Sequence, residues 1–356
     1  MANSAFSQSP NVVLTPKNAI INGAFEVWQR GTSFAAIANG AYSADRWIYG
    51  KAGAAAHTIS RSTDVPTVAQ AGALAPYSLL IDCTTADASL AATDQTNFTQ
   101  RIEGYVWRAY AQRQLTLSFW VKATKTGTYC IALLNSGADR HFVAEYTVSV
   151  TDTWENKTIS IPASPSAGTW DYTTGIGAQV VWTLANGSTN GVGTAGSWQS
   201  GTYNLCTTNQ VNATDDAANN FRLALVQLEA GSVATPFENV PFGVELARCQ
   251  RYFYTMAAGA AALNIANGNY LSTTNVRGVL WHPTTMRVAP TLVVATVGNI
   301  YVQSLGNANN AASAIAALQA HVDNVLLSVT VTAATAGEGA TILTTADPGL
   351  TLTAEL

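Results

Sequence analysis

Hydrophobic and polar residues alternate along several short segments of the chain. Between residues 115 and 122 the odd positions are all apolar and most even positions are polar, the period-two pattern of a half-buried strand. Turn-forming clusters such as Lys125–Thr126–Gly127 interrupt the segments. Similar strands are predicted at residues 129–133, 141–150, 157–161, 179–184 and 222–228. Short strands at this spacing, with turns rather than helices between them, predict an all-β fold: an antiparallel jelly-roll sandwich.

The pattern changes once, between residues 241 and 254. Val244, Ala247 and Arg248 would share one face of a helix, as would Leu246 and Cys249, so this segment predicts a short helical connector. Beyond it the chain is strand-like again, at residues 269–273, 278–281, 291–297, 299–304, 325–332 and 350–356. An Ala-rich stretch at 313–321 predicts one further helix. We therefore expect an extended N-terminal arm (1–17), a sandwich (18–240), the connector (241–254) and a smaller C-terminal β domain (255–356).

Composition adds an expectation about assembly. Only 11% of the 356 residues are charged, against about 25% in average soluble proteins. Nine Trp, 13 Tyr and 10 Phe argue against intrinsic disorder. Neutral surfaces suit obligate assemblies, in which burying charge between subunits is costly. We expect the C-terminal domain to form a homotrimer, because about 100 residues with many apolar strand faces can hardly cover those faces alone.

Charge and cysteine usage exclude several classes. The net charge is −4 and no basic cluster is present, so nucleic acid is not an expected partner. No apolar run reaches the ~18 residues of a membrane span, and residues 1–17 lack a signal-peptide pattern. The four cysteines lie far apart, which predicts reduced, mostly buried thiols rather than a disulfide framework or a zinc site. The chain is expected to be made in a cytosol.

Several motifs along the chain are specific enough to indicate a family. The opening motifs are NAIINGAFEVWQRGTSF at 18–34 and YSADRW at 42–47, and further motifs are LSFWVKA at 117–123, AEYT at 144–147 and DTWENKT at 152–158. The most specific pair is VQLEAGSVATPFE at 226–238 followed by ELARCQRYF at 245–253, and shorter motifs are TMRVAP at 285–290 and AEL at 354–356. Together they resemble a family of bacteriophage tail-fibre and virion structural proteins, whose first domain is similar to jelly-roll carbohydrate-binding modules.

The resemblance implies a place in a virion, assembled in the host cytoplasm, and contact with other virion proteins. It implies a short tail fibre or receptor-binding protein that contacts host-surface glycans. One alternative is a purely architectural protein, such as a head decoration, head fibre, collar or adaptor, that binds no glycan. A second alternative is a capsular depolymerase. The resemblance implies no catalytic residues.

No motif in the sequence predicts catalysis. The GxGxxG match at 191–196 lacks the preceding strand and following helix of a dinucleotide site, which favours a loop. The four histidines are scattered, with no ligand spacing for a metal. Asp171 and Asp215 could serve as glycosidase carboxylates, but nothing in the sequence pairs them. We therefore predict that the chain is not an enzyme.

Four aromatic residues in a loop-rich stretch are candidate glycan contacts: Trp170, Tyr172, Trp182 and Trp198. Sugar rings present C–H faces that stack on exposed aromatic rings. The alternative interpretation is that these side chains fill the sandwich core or a seam between subunits.

The resemblance to carbohydrate-binding modules also implies a candidate structural calcium, at Glu26 and Glu229, which should lie on the first and last strands of the sandwich. The alternative is a buried ion pair of these glutamates with Arg30 or Arg46. No other cofactor is expected.

Overall fold

The fold is known from a computed structural model that describes residues 17–189, 194–256, 263–304, 309–332, 335–344 and 349–356. The predicted arm (1–17) lies outside these residues except for Lys17, and so do the first three positions of the GxGxxG match. The described chain is almost entirely antiparallel β-structure, which confirms the predicted all-β class. None of the described helices is long and apolar enough to cross a membrane.

Twelve strands and two single-turn helices precede residue 231 in the described chain. In order they are β1 (Ser33–Phe34), β2 (Trp47–Ala52), β3 (Ala56–Ser62), α1 (Val68–Ala71), β4 (Ser78–Thr85), β5 (Gln95–Glu103), α2 (Gly104–Trp107), β6 (Leu115–Ala123), β7 (Gly127–Asn135), β8 (Arg140–Val148), β9 (Glu155–Ile161), β10 (Ile176–Asn186), β11 (Trp198–Ser200) and β12 (Asn220–Ala230).

These strands form two facing sheets, with the orders β1-β3-β4-β12-β6-β9 and β11-β8-β7-β10-β5-β2. The predicted alternation on β6 places Leu115, Leu117, Phe119 and Val121 in the core between the sheets, each 0–1% exposed. Strand β6, on which the alternation was clearest, lies inside the first sheet, between β12 and β9. The jelly-roll sandwich prediction is confirmed.

The predicted connector helix is present as α3 (Phe242–Gln250). Its Cys249 is fully buried against Ile21, Val27 and Tyr252, so the helix packs on the sandwich rather than spanning a gap. All four cysteines are free and buried, as the sequence predicts. The proposed domain limits at residues 240 and 254 stay a prediction.

The described C-terminal strands form two more sheets. The strands are β13 (Phe253–Met256), β14 (Leu263–Tyr270), β15 (Asn275–Trp281), β16 (Thr291–Val294), β17 (Ile300–Ser304), β18 (Asn309–Ala311), β19 (Ala314–Ala320), β20 (Asn324–Thr330), β21 (Gly339–Thr344) and β22 (Leu350–Thr353), with one 3₁₀ turn at Val297–Asn299. The sheet orders are β13-β22-β16 and β18-β17-β21-β14-β15-β20-β19. The outer strands β18 and β19 are joined by two residues, so the larger sheet must curl until its edges approach each other.

The helix predicted at 313–321 is wrong, because that segment is strand β19. Its residues pair antiparallel with β20, from Ala314 opposite Thr330 to Ala320 opposite Val325. Alanine has a high intrinsic helix propensity, but hydrogen bonds to a neighbouring strand and packing against its side chains override such a preference.

The last three residues, which we call the C-terminal clasp (Ala354–Glu355–Leu356), return to the sandwich. Glu355 forms ion pairs with Arg30 and with the buried Arg46. The carbonyl oxygen of Leu356 accepts hydrogen bonds from Arg101 and from the Tyr42 hydroxyl. The clasp therefore ties these last residues to the segment before β2, which holds Arg30, Tyr42 and Arg46, and to Arg101 on β5.

Candidate functional site

Trp182 is the one aromatic candidate that the structure removes from consideration as a glycan contact. It lies on β10 and is 0% exposed, with Trp47 at 5.4 Å and Phe119 at 5.8 Å between ring centroids. Val180 and Leu184 on the same strand face are also buried. The prediction of glycan contact is wrong for this residue, and the core interpretation is correct.

The other aromatic candidates come together at an edge of the sandwich. The ring of Trp170 stacks on the buried Trp107 at 5.7 Å, and the ring of Trp198 meets Trp170 edge-on at 5.9 Å. Both indole N–H groups donate to backbone carbonyls, Trp170 to Ala167 and Trp198 to Pro162. Together with Tyr172 these rings are half-buried against the core. Their use as glycan contacts stays a prediction.

The two candidate calcium ligands have separate local neighbours, and a shared calcium ion stays a prediction. The Glu229 carboxylate accepts hydrogen bonds from the backbone N–H and hydroxyl of Thr235 and from the Gln227 amide, so both oxygens already have partners. Glu26 is half-buried, and burial and the neighbouring Glu245 raise its carboxyl pKa. No cluster of three or more possible metal ligands occurs among the described residues.

The alternative prediction, an ion pair of these glutamates with Arg30 or Arg46, is wrong. Arg30 pairs with Asp45 and Glu355, and Arg46 pairs with Glu355, so the described contacts of these arginines involve neither Glu26 nor Glu229. Burial raises the Asp45 carboxyl pKa to about 6, although the Arg30 guanidinium opposes that shift. Arginine side chains at this depth need a carboxylate, and the sequence alone could not indicate which one.

A groove crosses the outer face of the second sheet. The segment 203–207 covers the part of this face that β7, β8 and β10 form, with Leu205 and Cys206 packed on Cys130, Ala132 and Val143. The neighbouring part, formed by β2, β5 and the edge of β10, is not covered in this way. It forms a depression of about 350 Å³.

Strand alternation on β5 supplies the floor of the groove. Gln95, Asn97, Thr99 and Arg101, the odd-numbered residues of the strand, line the groove, where Asn97 and Thr99 are each 8% exposed. Asn97 lies opposite Gly50, and a Cβ atom at Gly50 would come within 2.3 Å of the Asn97 amide oxygen. A glycine at this point therefore lets the Asn97 side chain lie across the neighbouring strand.

The groove lining combines neutral hydrogen-bonding groups and one cation with apolar side chains such as Ile48, Val181 and Leu205. Polar and aromatic side chains along it are Asn39, Gln95, Asn97, Thr99, Arg101, Gln179 and Tyr203. Arg101 donates to the Gln179 amide oxygen at 3.2 Å, which orients both side chains. Amide and hydroxyl groups along an open channel, beside one tyrosine ring, can hydrogen-bond the hydroxyl groups of a neutral saccharide.

The groove residues were missed by the sequence reasoning. The signal was present as Gln95, Asn97, Thr99 and Arg101, four polar residues at every second position. The intervening Thr96 and Gln100 are also polar, so the segment lacks the apolar alternation that identifies a strand. Gln100 is nevertheless buried, because its amide exchanges hydrogen bonds with the backbone of Ile21.

The described groove lining contains no carboxylate. The two aspartates considered as a catalytic pair have separate local partners: Asp171 accepts from Thr173, and Asp215 pairs with Lys125. Glycoside hydrolysis needs two carboxylates flanking one bond. Such a pair is not found in the described lining of the groove.

The sequence matches no protein-family model. It also matches no curated protein. Among solved structures, it is similar to an enzymatically active domain of bacteriophage CBA120 tailspike protein 4, at 15% identity and a TM-score of 0.31, over 55% of this chain and 21% of that chain. The alignment thus spans about a fifth of the tailspike chain.

Two further similar structures are carbohydrate-binding modules. One is a family 4 module, at 16% identity and a TM-score of 0.32, over 59% of this chain and 98% of that chain. The other is a family 11 module from Clostridium thermocellum in complex with a mixed-linked tetrasaccharide, at 12% identity and a TM-score of 0.30, over 57% and 98%. Similarity at this level supports no statement about the ligand of this chain.

Proposed function

We propose that this chain is a non-enzymatic structural protein of a bacteriophage virion, of the short tail-fibre or receptor-binding kind. The motifs at 226–238 and 245–253 support the virion assignment, through their resemblance to that family. In the structure these motifs form β12 and α3, the path from the sandwich to the C-terminal sheets. Their role in this proposal is structural, and no catalytic residue is predicted in them.

The groove on the outer sheet face supports the binding part of the proposal. Its lining offers amide, hydroxyl and phenol groups to a ligand, and most of these groups lie on β5 and β10, whereas the phenol group of Tyr203 comes from the covering segment 203–207. We propose that this groove binds neutral host-surface glycans weakly, and that several copies in one particle raise the avidity. Linked weak sites can exceed one site by factors of about 10² to 10⁴ without any new contact.

A glycan array with the purified protein tests the binding proposal. Gln179→Ala and Tyr203→Ala should each weaken binding about tenfold or more, because each removes a groove contact worth roughly 1–2 kcal/mol. The matched controls are Gln114→Ala, at an exposed position on the opposite side of the sandwich, and Tyr77→Ala, whose ring stacks on Arg61. Both controls should bind like the unchanged protein.

Other results would favour the rival functions. No binding above background would favour the purely architectural role, as a head decoration, collar or adaptor. Release of reducing sugar from host polysaccharide would favour a depolymerase and contradict the non-enzymatic proposal. Imaging of the labelled protein on intact particles tests the virion location directly.

A further inference from the structure

A second and larger cavity lies where α2, α3 and the last residues of β12 meet. Its volume is about 630 Å³, within the range of about 300–1,000 Å³ that is usual for small-molecule sites. Ile21, Val106, Ala109 and Val244 form apolar walls. Tyrosine rings complete the lining, and that of Tyr105 is 44% exposed.

Some charged groups that line this cavity have a partner of opposite charge, and others do not. Both carboxylates in the lining are already occupied: Glu103 binds Arg251 at 2.7 and 2.9 Å and the Tyr252 hydroxyl at 2.6 Å. Glu229 binds Thr235 and Gln227, as described above. Neither carboxylate is therefore free to pair with a further cation.

Two of the four cations in the lining also have carboxylate partners. Arg251 pairs with Glu103, and Arg248 pairs with Glu245 at 2.8 Å. The remaining cationic groups, the Lys17 ammonium and the Arg113 guanidinium, have no carboxylate partner among the described contacts. The Lys17 ammonium donates to the Thr235 hydroxyl and the Pro236 carbonyl, and Arg113 donates to the Ala109 carbonyl, whereas only the backbone N–H of Lys17 donates to a carboxylate, that of Glu238. These two cationic groups are therefore available to an anionic ligand.

We infer that this cavity binds a saccharide unit that carries a carboxylate, such as a hexuronate. The carboxylate would accept charge-assisted hydrogen bonds from Arg113 and Lys17. The C–H face of the ring would lie on the apolar wall and the tyrosine rings. A compact inorganic anion would leave that wall in contact with water, so the lining favours an organic acid. The choice of a saccharide rests on the proposed glycan-binding function, whereas the need for an anion does not.

Calorimetric titration of the full chain with a glucuronate oligosaccharide tests this inference. The matched probe is the same oligosaccharide with its carboxyl groups reduced to alcohols, which keeps the ring and removes the charge. We expect binding of the acidic form, weakened by added salt, and at least tenfold weaker binding of the reduced form. Equal affinity for the two forms would overturn the inference.

Variants locate the binding. Arg113→Gln and Lys17→Gln should each weaken binding of the acidic form about tenfold or more. Both side chains are exposed, so neither change should disturb folding. The control is Arg61→Gln, an exposed arginine of the same module outside the cavity, which should have no effect. Unchanged affinity in both cavity variants would exclude this cavity as the site.

The groove variants separate this inference from the proposed function. Tyr203→Ala should leave binding of the acidic oligosaccharide intact while it weakens binding of neutral glycans. The groove variants could lose binding of neutral glycans while the unchanged protein fails to bind the acidic oligosaccharide. That result would refute the inference about the cavity and leave the proposed function standing. Absence of both kinds of binding would refute both proposals.

Discussion

His57 shows how burial of one titratable residue makes the sandwich sensitive to acid. The residue is 1% exposed, and its Nδ1 atom lies 2.6 Å from the Tyr49 hydroxyl. Burial, together with the nearby Lys51, lowers the histidine pKa to about 4. In the unfolded chain the same imidazole should titrate near 6.5. Between these values the unfolded state binds a proton that the folded state does not.

The folded state should therefore lose stability as the pH falls from 6.5 to 4. The full effect is about 3 kcal/mol in the free energy of unfolding. His57→Asn keeps an acceptor for the Tyr49 hydroxyl and removes the titration, so the variant should lose less stability over this range. Urea unfolding at pH 7 and pH 4.5 measures the difference.

The matched control for this experiment is His321→Asn, since the His321 side chain is exposed. Asp45 acts in the opposite direction, because its raised pKa favours the folded state at low pH, but it contributes equally to both variants. A pH dependence of His57→Asn equal to that of the unchanged protein would contradict the prediction.

The burial of Trp182 could have been predicted more fully from the sequence than the burial of His57. The strand prediction at 179–184 already placed Val180, Trp182 and Leu184 on one face, and a face with two aliphatic residues is normally the core face. His57 lies in a strand that the pattern did not reveal. Its buried position depends on pairing between β3 and β4, which is information about distant residues.

Among the elements, the C-terminal clasp shows what local pattern cannot predict. The motif AEL at 354–356 was visible in the sequence, but its partners Arg30, Arg46 and Arg101 lie on the opposite end of the chain. Strand β22 before it was predicted, because Leu350 and Leu352 alternate with threonines. Alternation predicts a strand and its buried face, but it does not predict which distant charges the strand brings together.

Glu355→Gln should destabilise the protein by about 3–5 kcal/mol, since Arg46 is 1% exposed and would lose the carboxylate that balances its charge. Thermal unfolding followed by circular dichroism measures the loss. The control is Glu338→Gln, just before β21, because Glu338 has no ion pair among the described contacts. Equal melting temperatures for the two variants would show that the clasp contributes little.

On the scale of the whole molecule, the C-terminal sheets have an unusually neutral surface. From residue 288 to 322 the sequence contains no Asp, Glu, Lys or Arg. Edge strand β19 lies in this stretch, and its Leu318 is 46% exposed. Strand β16, where Val293 is 48% exposed, lies against it. Proteins usually protect such edges with charges, prolines or bulges, because free backbone groups pair readily with another chain. Strand β19 has one irregularity, a register shift between Ala317 and Gln319, but neither a charge nor a proline.

We therefore propose that β19 is a contact between copies of the chain in the expected homotrimer. Leu318→Lys and Ala316→Lys place charge on this edge, and each should shift the protein from trimer to monomer. Light scattering coupled to size-exclusion chromatography measures the mass at micromolar concentration. Val150→Lys is the matched control, because Val150 is 53% exposed on the sandwich. A trimer that persists in both edge variants would place the contact elsewhere, and a monomeric unchanged protein would refute the assembly, because the exposed apolar edge would then be stable in water without a partner.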